Sequence, residues 1–279
     1  MNTQIKPVVV GVDDKQPTAL RFALGEASRK GAGLRVVHSA EVSAESRGLG
    51  IEIVEKIREA GQNVLDDARD FINQEVTSVG VEYVLASSAP GVVLEAEAHK
   101  ACTVVVGTDD VSLHDRIFGG AVATRLAQHA VCPVVVVPEH LQPRPLTGGV
   151  VIALDGDSPA KGPLTFAFEQ AQVRGNVLHV LHAISAGTPR EDAEAIRELI
   201  GDTLGDWADF YPSVRVLLNF PADAADEACV RATDHSELVV LGRPRHHSLP
   251  FTLGRSVAAK VLRHAHCPVA VVPEGYRGD

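Results

Sequence analysis

The chain has 279 residues, 45% hydrophobic, 22% charged and 4% aromatic, which suits a soluble protein of one large domain or two of about 140 residues. A formal net charge of -10 argues against a nucleic-acid partner, whose phosphates demand a basic surface. No apolar stretch approaches the ~20 residues that span a bilayer, and the start, Met-Asn-Thr-Gln-Ile-Lys-Pro, lacks the apolar region of a secretion signal, so a cytoplasmic protein without a membrane partner is expected.

Strand and helix patterns alternate along the chain. With so few aromatics, Val, Ile, Leu and Ala must build the core. The runs Val8-Val9-Val10 and Val134-Val135-Val136-Val137 fit strands buried on both faces of a parallel sheet. A strand at 8–13 leads to a helix starting near Pro17, with Ala19, Leu20, Phe22, Ala23 and Ala27 on its apolar face. A strand at 34–39 and a long helix through 51–78 follow, the latter carrying Ile53, Ile57, Val64, Leu65, Ala68 and Ile72 at helical spacing. A strand at 81–86, a short helix after Pro90, a strand at 103–107, a helix at 119–130 and a strand at 134–137 complete the first half. Residues 141–148, punctuated by proline and glycine, read as a linker. The second half repeats the order, with strands near 150–155, 177–182, 214–218, 237–241 and 269–272.

That repetition is visible in the residues themselves. His129-Ala-Val-Cys-Pro-Val-Val-Val-Val-Pro-Glu139 and His264-Ala-His-Cys-Pro-Val-Ala-Val-Val-Pro-Glu274 agree at nine of eleven positions. Val104-Val105-Val106-Gly107 matches Val239-Val240-Leu241-Gly242 at the same offset of 135, whereas Val8–Asp13 matches Val150–Asp155 at an offset of 142. Seven residues are therefore missing from the second copy, and the segment 184–210, a shorter counterpart of 41–78, is where they are expected to be lost. A period this long marks a domain duplication, not a solenoid. The expected fold class is α/β, as two tandem, doubly wound, five-stranded parallel-sheet domains of nucleotide-binding-like architecture, at 1–140 and 149–279. The closing strands of the two sheets are edges that need cover, and pairing them with each other would make one chain a pseudo-dimer.

A strand ending in Gly-Val-Asp, one ending in Val-Val-His, one ending in Val-Val-Gly, and a helix closing on His-Ala-x-Cys-Pro-Val-x-Val-Val-Pro together resemble the universal stress protein family, twice over. The resemblance implies an adenine-nucleotide-binding-like fold, a role in stress adaptation and a possible homodimer. It also implies where ATP would sit in members that bind it. A loop of pattern Gly-x-x-Gly-x9-Gly-[Ser/Thr] after the fourth strand cradles the phosphates through backbone N–H groups, a hydroxyl and a helix N-terminus. An aspartate at the end of the first strand holds the ribose or adenine end.

Both copies depart from that pattern. The first keeps Asp13, Gly107 and Gly120, but has Asp110 for the second glycine and Ala121 for the hydroxyl, with Asp109 and Asp115 in the loop. Carboxylates beside a triphosphate repel it, so the first copy is expected to bind ATP poorly unless a metal bridges the two. The second keeps Asp155, Gly242 and Ser256, with Arg245 for the second glycine, Gly254 just before the third position and Arg255 at it. Arginines can grip phosphate in place of backbone amides, which makes this half the better candidate for an anion. A solvated basic loop is the alternative, and Pro244 removes one backbone donor. His246 and His247 can be read as metal ligands, as pH-sensitive donors or as exposed side chains. Asp13 and Asp155 can bind a ligand or merely cap the next helix, and His38 and His182 can line a pocket rim or satisfy a strand end.

The four cysteines, 102, 132, 229 and 267, form no Cys-x-x-Cys pair and read as core thiols. No P-loop lysine or nucleophile triad stands at a known spacing. The expectation is a regulatory binding protein of stress adaptation with degenerate nucleotide loops, acting through protein contacts and not as an enzyme. The alternative is an ATP-binding nucleotide sensor, with or without weak hydrolysis, that uses mainly its second half.

Overall fold

The computed structural model describes residues 5–14, 16–43, 45, 48, 50–108, 121–139, 148–156, 159–243 and 256–278. The chain divides into two units at residues 140 and 141. The first contains strands β1 (Val8–Gly11), β2 (Leu34–Ser39), β3 (Val81–Ala86), β4 (Thr103–Thr108) and β5 (Val134–Pro138). Between them run helices α1 (Pro17–Lys30), α2 (Ile51–Gln74), α3 (Pro90–Ala98) and α4 (Ala121–His129). The strands are parallel in the order β3-β2-β1-β4-β5. The second unit repeats this with β6 (Val150–Ala153), β7 (Leu178–Leu181), β8 (Val216–Asn219), β9 (Leu238–Gly242) and β10 (Val269–Val272), in the order β8-β7-β6-β9-β10. Its helices are α5 (Lys161–Arg174), α6 (Arg190–Phe210), α7 (Ala225–Ala232) and α8 (Val257–His264).

Burial follows from this layering. The valines of β1, β5 and β10 and the core residues of β6 and β9 have helices over both sheet faces, so neither side of the pleat meets water. α1 begins with Pro17, whose missing N–H costs nothing in a first turn, and stops at Gly31. That glycine adopts a left-handed conformation (φ 63°), and Gly31 N–H donates to Ser28 O while Ala32 N–H donates to Ala27 O. α5 stops in the same way at Gly175 (φ 62°). In the second unit Phe168 is fully buried and stacks on Trp207 and Tyr211, with ring centroids 6.0 and 5.3 Å apart, which fastens the C-terminal end of α6 to α5.

The strand registers locate the length difference between the copies. Val8 pairs with Leu34 and Val150 with Leu178, so the offset grows from 142 at the first strands to 144 at the second. Two residues have been added between β6 and α5. Leu34 then pairs with Val81, and Leu178 with Val216, where the offset is 135. Nine residues (144 − 135) are therefore lost between β7 and β8, and the expected seven is the net of that loss and the earlier gain. The long helix accordingly shrinks from 24 residues in α2 to 21 in α6. α2 also ends at Gln74, before the expected 78, because the chain turns extended at Glu75 (ψ 137°). The linker at 141–148 lies outside the described residues except for Gly148.

All four cysteines are buried thiols outside any disulfide. Burial pushes the thiols of Cys132 and Cys229 up to about 12. Below the usual thiol value near 9 both folded and unfolded states hold the proton, and the contribution to stability is intact. As pH climbs from there toward about 12, the unfolded chain ionises first and stability is lost. Urea midpoints measured from pH 8 to 11 should fall, and Cys132→Val should flatten the fall; an unchanged slope would mean that this thiol does not drive it.

Candidate functional site

The strand order reverses between β1 and β4 in the first unit and between β6 and β9 in the second, and ligands of such sheets sit at the carboxyl ends of the strands beside that reversal. In the first unit this is where Asp13, Gln16, Gly107 and Glu139 meet. Asp13 follows β1 and is exposed; its backbone N–H donates to Gln16 Oε1 (3.3 Å). Its carboxylate does not cap α1. The cap residue is Gln16, which makes no side-chain cap bond, and the helix amides go elsewhere. Thr18 N–H donates to Glu139 Oε2 (3.1 Å) and Ala19 N–H to Glu139 Oε1 (3.0 Å), while Thr18 Oγ1 donates to the backbone oxygen of Glu139 (3.0 Å). A carboxylate carried on the end of β5 thus satisfies two of the orphan donors of α1 and complements the positive end of its dipole.

Gly107, at the end of β4, lies against the same group. A Cβ there would stand 2.8 Å from Glu139 Oε1 and 3.1 Å from Gln16 Cδ. Room for the carboxylate is a packing reason for glycine at this position, separate from any approach of phosphate to backbone.

The second unit keeps the device with different details. Lys161 N–H donates to Glu274 Oε1 (2.9 Å), and the cap residue of α5 is Ala160 (φ 45°), which has no side-chain oxygen. Asp155 is exposed and stands five residues before the cap residue Ala160, so the capping explanation is set aside for Asp13 alone. Among the described residues a Cβ at Gly242 would meet only Pro163 Cγ, at 3.5 Å, and no carboxylate. Ser256 is the N-cap of α8, its Oγ accepting from Ala259 N–H (3.4 Å). The hydroxyl proton is left available to donate.

His38 and His182 are strand-end groups. His38 Nδ1 lies 2.8 Å from Val12 O, and His182 Nδ1 lies 2.9 Å from Leu154 O. A carbonyl only accepts, so each imidazole carries its donated proton on Nδ1. The bond satisfies the backbone oxygen as β1 or β6 leaves the sheet. Gly120, Arg245, Gly254 and Arg255, with Asp109, Asp110, Asp115, His246 and His247, lie outside the described residues. Among the described residues no group of three or more His, Cys, Asp or Glu side chains could hold a metal, and no helix is long and apolar enough to cross a membrane.

The residues that sequence reasoning left without a role are Gln16, Glu139 and Glu274. The signal was present, since Pro138-Glu139 and Pro273-Glu274 end the repeated segment in both copies.

The universal stress protein family model matches residues 4–138 and 212–273. The chain belongs to the universal stress protein family. The second match begins past α6, so the part of the second unit that lost nine residues lies outside it. A universal stress protein of Mycobacterium tuberculosis is 27% identical over 289 residues, covering 96% of each chain. Another from the same organism is 30% identical over 221 residues, covering 76% of this chain and 78% of its own. The crystal structure of a universal stress protein from Archaeoglobus fulgidus aligns with a TM-score of 0.75 at 18% identity, covering 98% and 97% of the two chains. That likeness over full length establishes the tandem fold of this universal stress protein.

Proposed function

We propose that this universal stress protein is a regulatory binding protein of stress adaptation that performs no chemistry of its own, and whose first unit holds no nucleotide. Glu139 carries this reading. Its carboxylate takes the first free amides of α1 and stands against Gly107, beside the strand reversal where a nucleotide would enter. Donors that an anion needs are spent, and the charge left there repels phosphate. The acidic loop residues Asp109, Asp110 and Asp115, with Ala121 in place of a hydroxyl, support the same conclusion. The thiols offer no nucleophile, because they are buried, and those of Cys132 and Cys229 stay protonated far above neutral pH.

One observation favours a second reading, in which the other unit senses an adenine nucleotide. Among the described residues Gly242 faces a proline ring and not a carboxylate, Ser256 retains a hydroxyl proton to donate, and Arg245 and Arg255 add positive charge in the sequence.

Calorimetric titration with ATP and magnesium separates the two. No heat at millimolar ATP is the result expected for action through protein partners alone. One site per chain, weakened at least tenfold by Arg245→Ala and untouched by Asp13→Ala, would move the function to the second reading. A site lost with Asp13→Ala would overturn the assignment for the first unit, and steady phosphate release would overturn the absence of chemistry.

A further inference from the structure

We propose that strand β8 of the second unit accepts an added strand from a partner protein, an extended segment in which apolar and basic side chains alternate. β8 ends the strand order of its sheet, and among the described residues it pairs only with β7. The ladder shows which backbone groups are left over. Leu178 N–H donates to Arg215 O and His182 N–H to Asn219 O, so the odd-numbered residues of β8 turn toward β7. In a parallel ladder alternate residues point both backbone groups to opposite sides. The N–H and C=O of Val216 and Leu218 therefore face the free edge, and an unpaired edge is a template for another strand.

Beyond Arg215 at its start, no charged side chain or proline among the described residues closes that edge. Val216-Leu217-Leu218-Asn219 contains neither charge nor proline, and Leu217 and Leu218 are 37% and 44% exposed. The corresponding strand of the first unit is guarded. β3 carries Glu82, ion-paired with Arg35, and Tyr83, whose ring lies under the Arg69 guanidinium at 4.5 Å. Arg69 belongs to α2, the longer helix, whereas the segment leading into β8 is the one that lost nine residues.

Charge selects the occupant. α6 carries seven carboxylates against Arg190 and Arg197. Arg190 is paired with Glu194, and Arg197 lies 5.4 Å from the centre of the Phe220 ring, which holds α6 beside the end of β8. A second copy pairing β8 to β8 about a two-fold axis would bring two such helices to one seam, where like charges repel. A basic strand is drawn in by the same field.

The test uses the full chain and two blocked ten-residue peptides, one alternating Val and Lys and one alternating Val and Glu, with amide exchange followed by NMR and mass measured by analytical ultracentrifugation. The Val-Lys peptide should slow exchange at Val216 and Leu218 at least tenfold, and the Val-Glu peptide should not. Leu218→Pro removes an outward N–H while sparing the ladder to β7, and Leu218→Lys guards the edge without touching the backbone. Each should weaken Val-Lys binding at least tenfold, the lysine variant serving alone if the proline variant does not fold. No protection by either peptide, or equal protection by both, would overturn the proposal. Self-association of the chain alone that Leu218→Lys abolishes would overturn it in favour of a second copy.

Discussion

Replacing Gly162 with alanine should cost about 2–4 kcal/mol, the upper end of what forced overpacking produces, and lower the melting temperature of the second unit by roughly 10 °C. The cause is a backbone collision. A Cβ at Gly162 would lie 2.2 Å from the carbonyl oxygen of Pro273 and 2.8 Å from that of Glu274. Neither can swing aside as a side-chain tip would, because Pro273 directly follows β10 and Glu274 Oε1 accepts from Lys161 N–H. The first turn of α5 would have to lift off the end of the strand, and the cap at Lys161 would go with it. The same substitution at Gly201, in α6, is the control. Among the described residues nothing lies within 4 Å of its Cβ position, and a helical glycine replaced by alanine without collision gains about 0.5–1 kcal/mol. Urea unfolding of both variants checks the pair. A Gly162→Ala protein as stable as the parent would show that the helix and strand ends do not touch as described.

The contrast between the copies explains how much of this was legible. By helix alignment Gly162 corresponds to Thr18, which bridges to Glu139 through its hydroxyl. Against the same Pro-Glu strand end, one copy closes the gap with the Thr18 side chain and the other by direct approach of Gly162. Sequence therefore showed the strands, whose valines must be buried in any parallel sheet, and the repeat at 129–139 and 264–274. The family resemblance also singled out Asp13, Gly107, Asp155, Gly242 and Ser256, which stand at or just after strand ends or at a helix start. Sequence did not show the role of Glu139, which lies 121 residues from Thr18. A carboxylate after a proline looks like any solvated turn until the partner helix is placed. The deletion was similarly blurred, because a two-residue gain cancelled part of a nine-residue loss, and only the strand registers separate them.

Removing the Glu139 carboxylate should destabilise the first unit by about 1–2 kcal/mol in Glu139→Ala, the range seen when a helix loses its cap. The Thr18 and Ala19 amides are left without their acceptor at a partly buried helix start, where an unpaired donor bears its desolvation cost. Glu139→Gln keeps one oxygen for one amide but loses the charge that complements the dipole, so its cost should be smaller, roughly 0.3–1 kcal/mol. Gly107 gives an independent check on the geometry. Gly107→Ala would press on Glu139 Oε1 from 2.8 Å and should destabilise the parent, yet cost less once Glu139 is alanine, because the group it displaces is gone. Residues in contact couple in this way, by about 0.5–3 kcal/mol, whereas distant ones add. A double-mutant cycle from denaturant melts reads the coupling directly. Strict additivity would mean that Gly107 and Glu139 do not share the site. It would also remove the observation on which exclusion of an anion from the first unit rests, since a carboxylate that does not stand against β4 leaves that crevice open to phosphate.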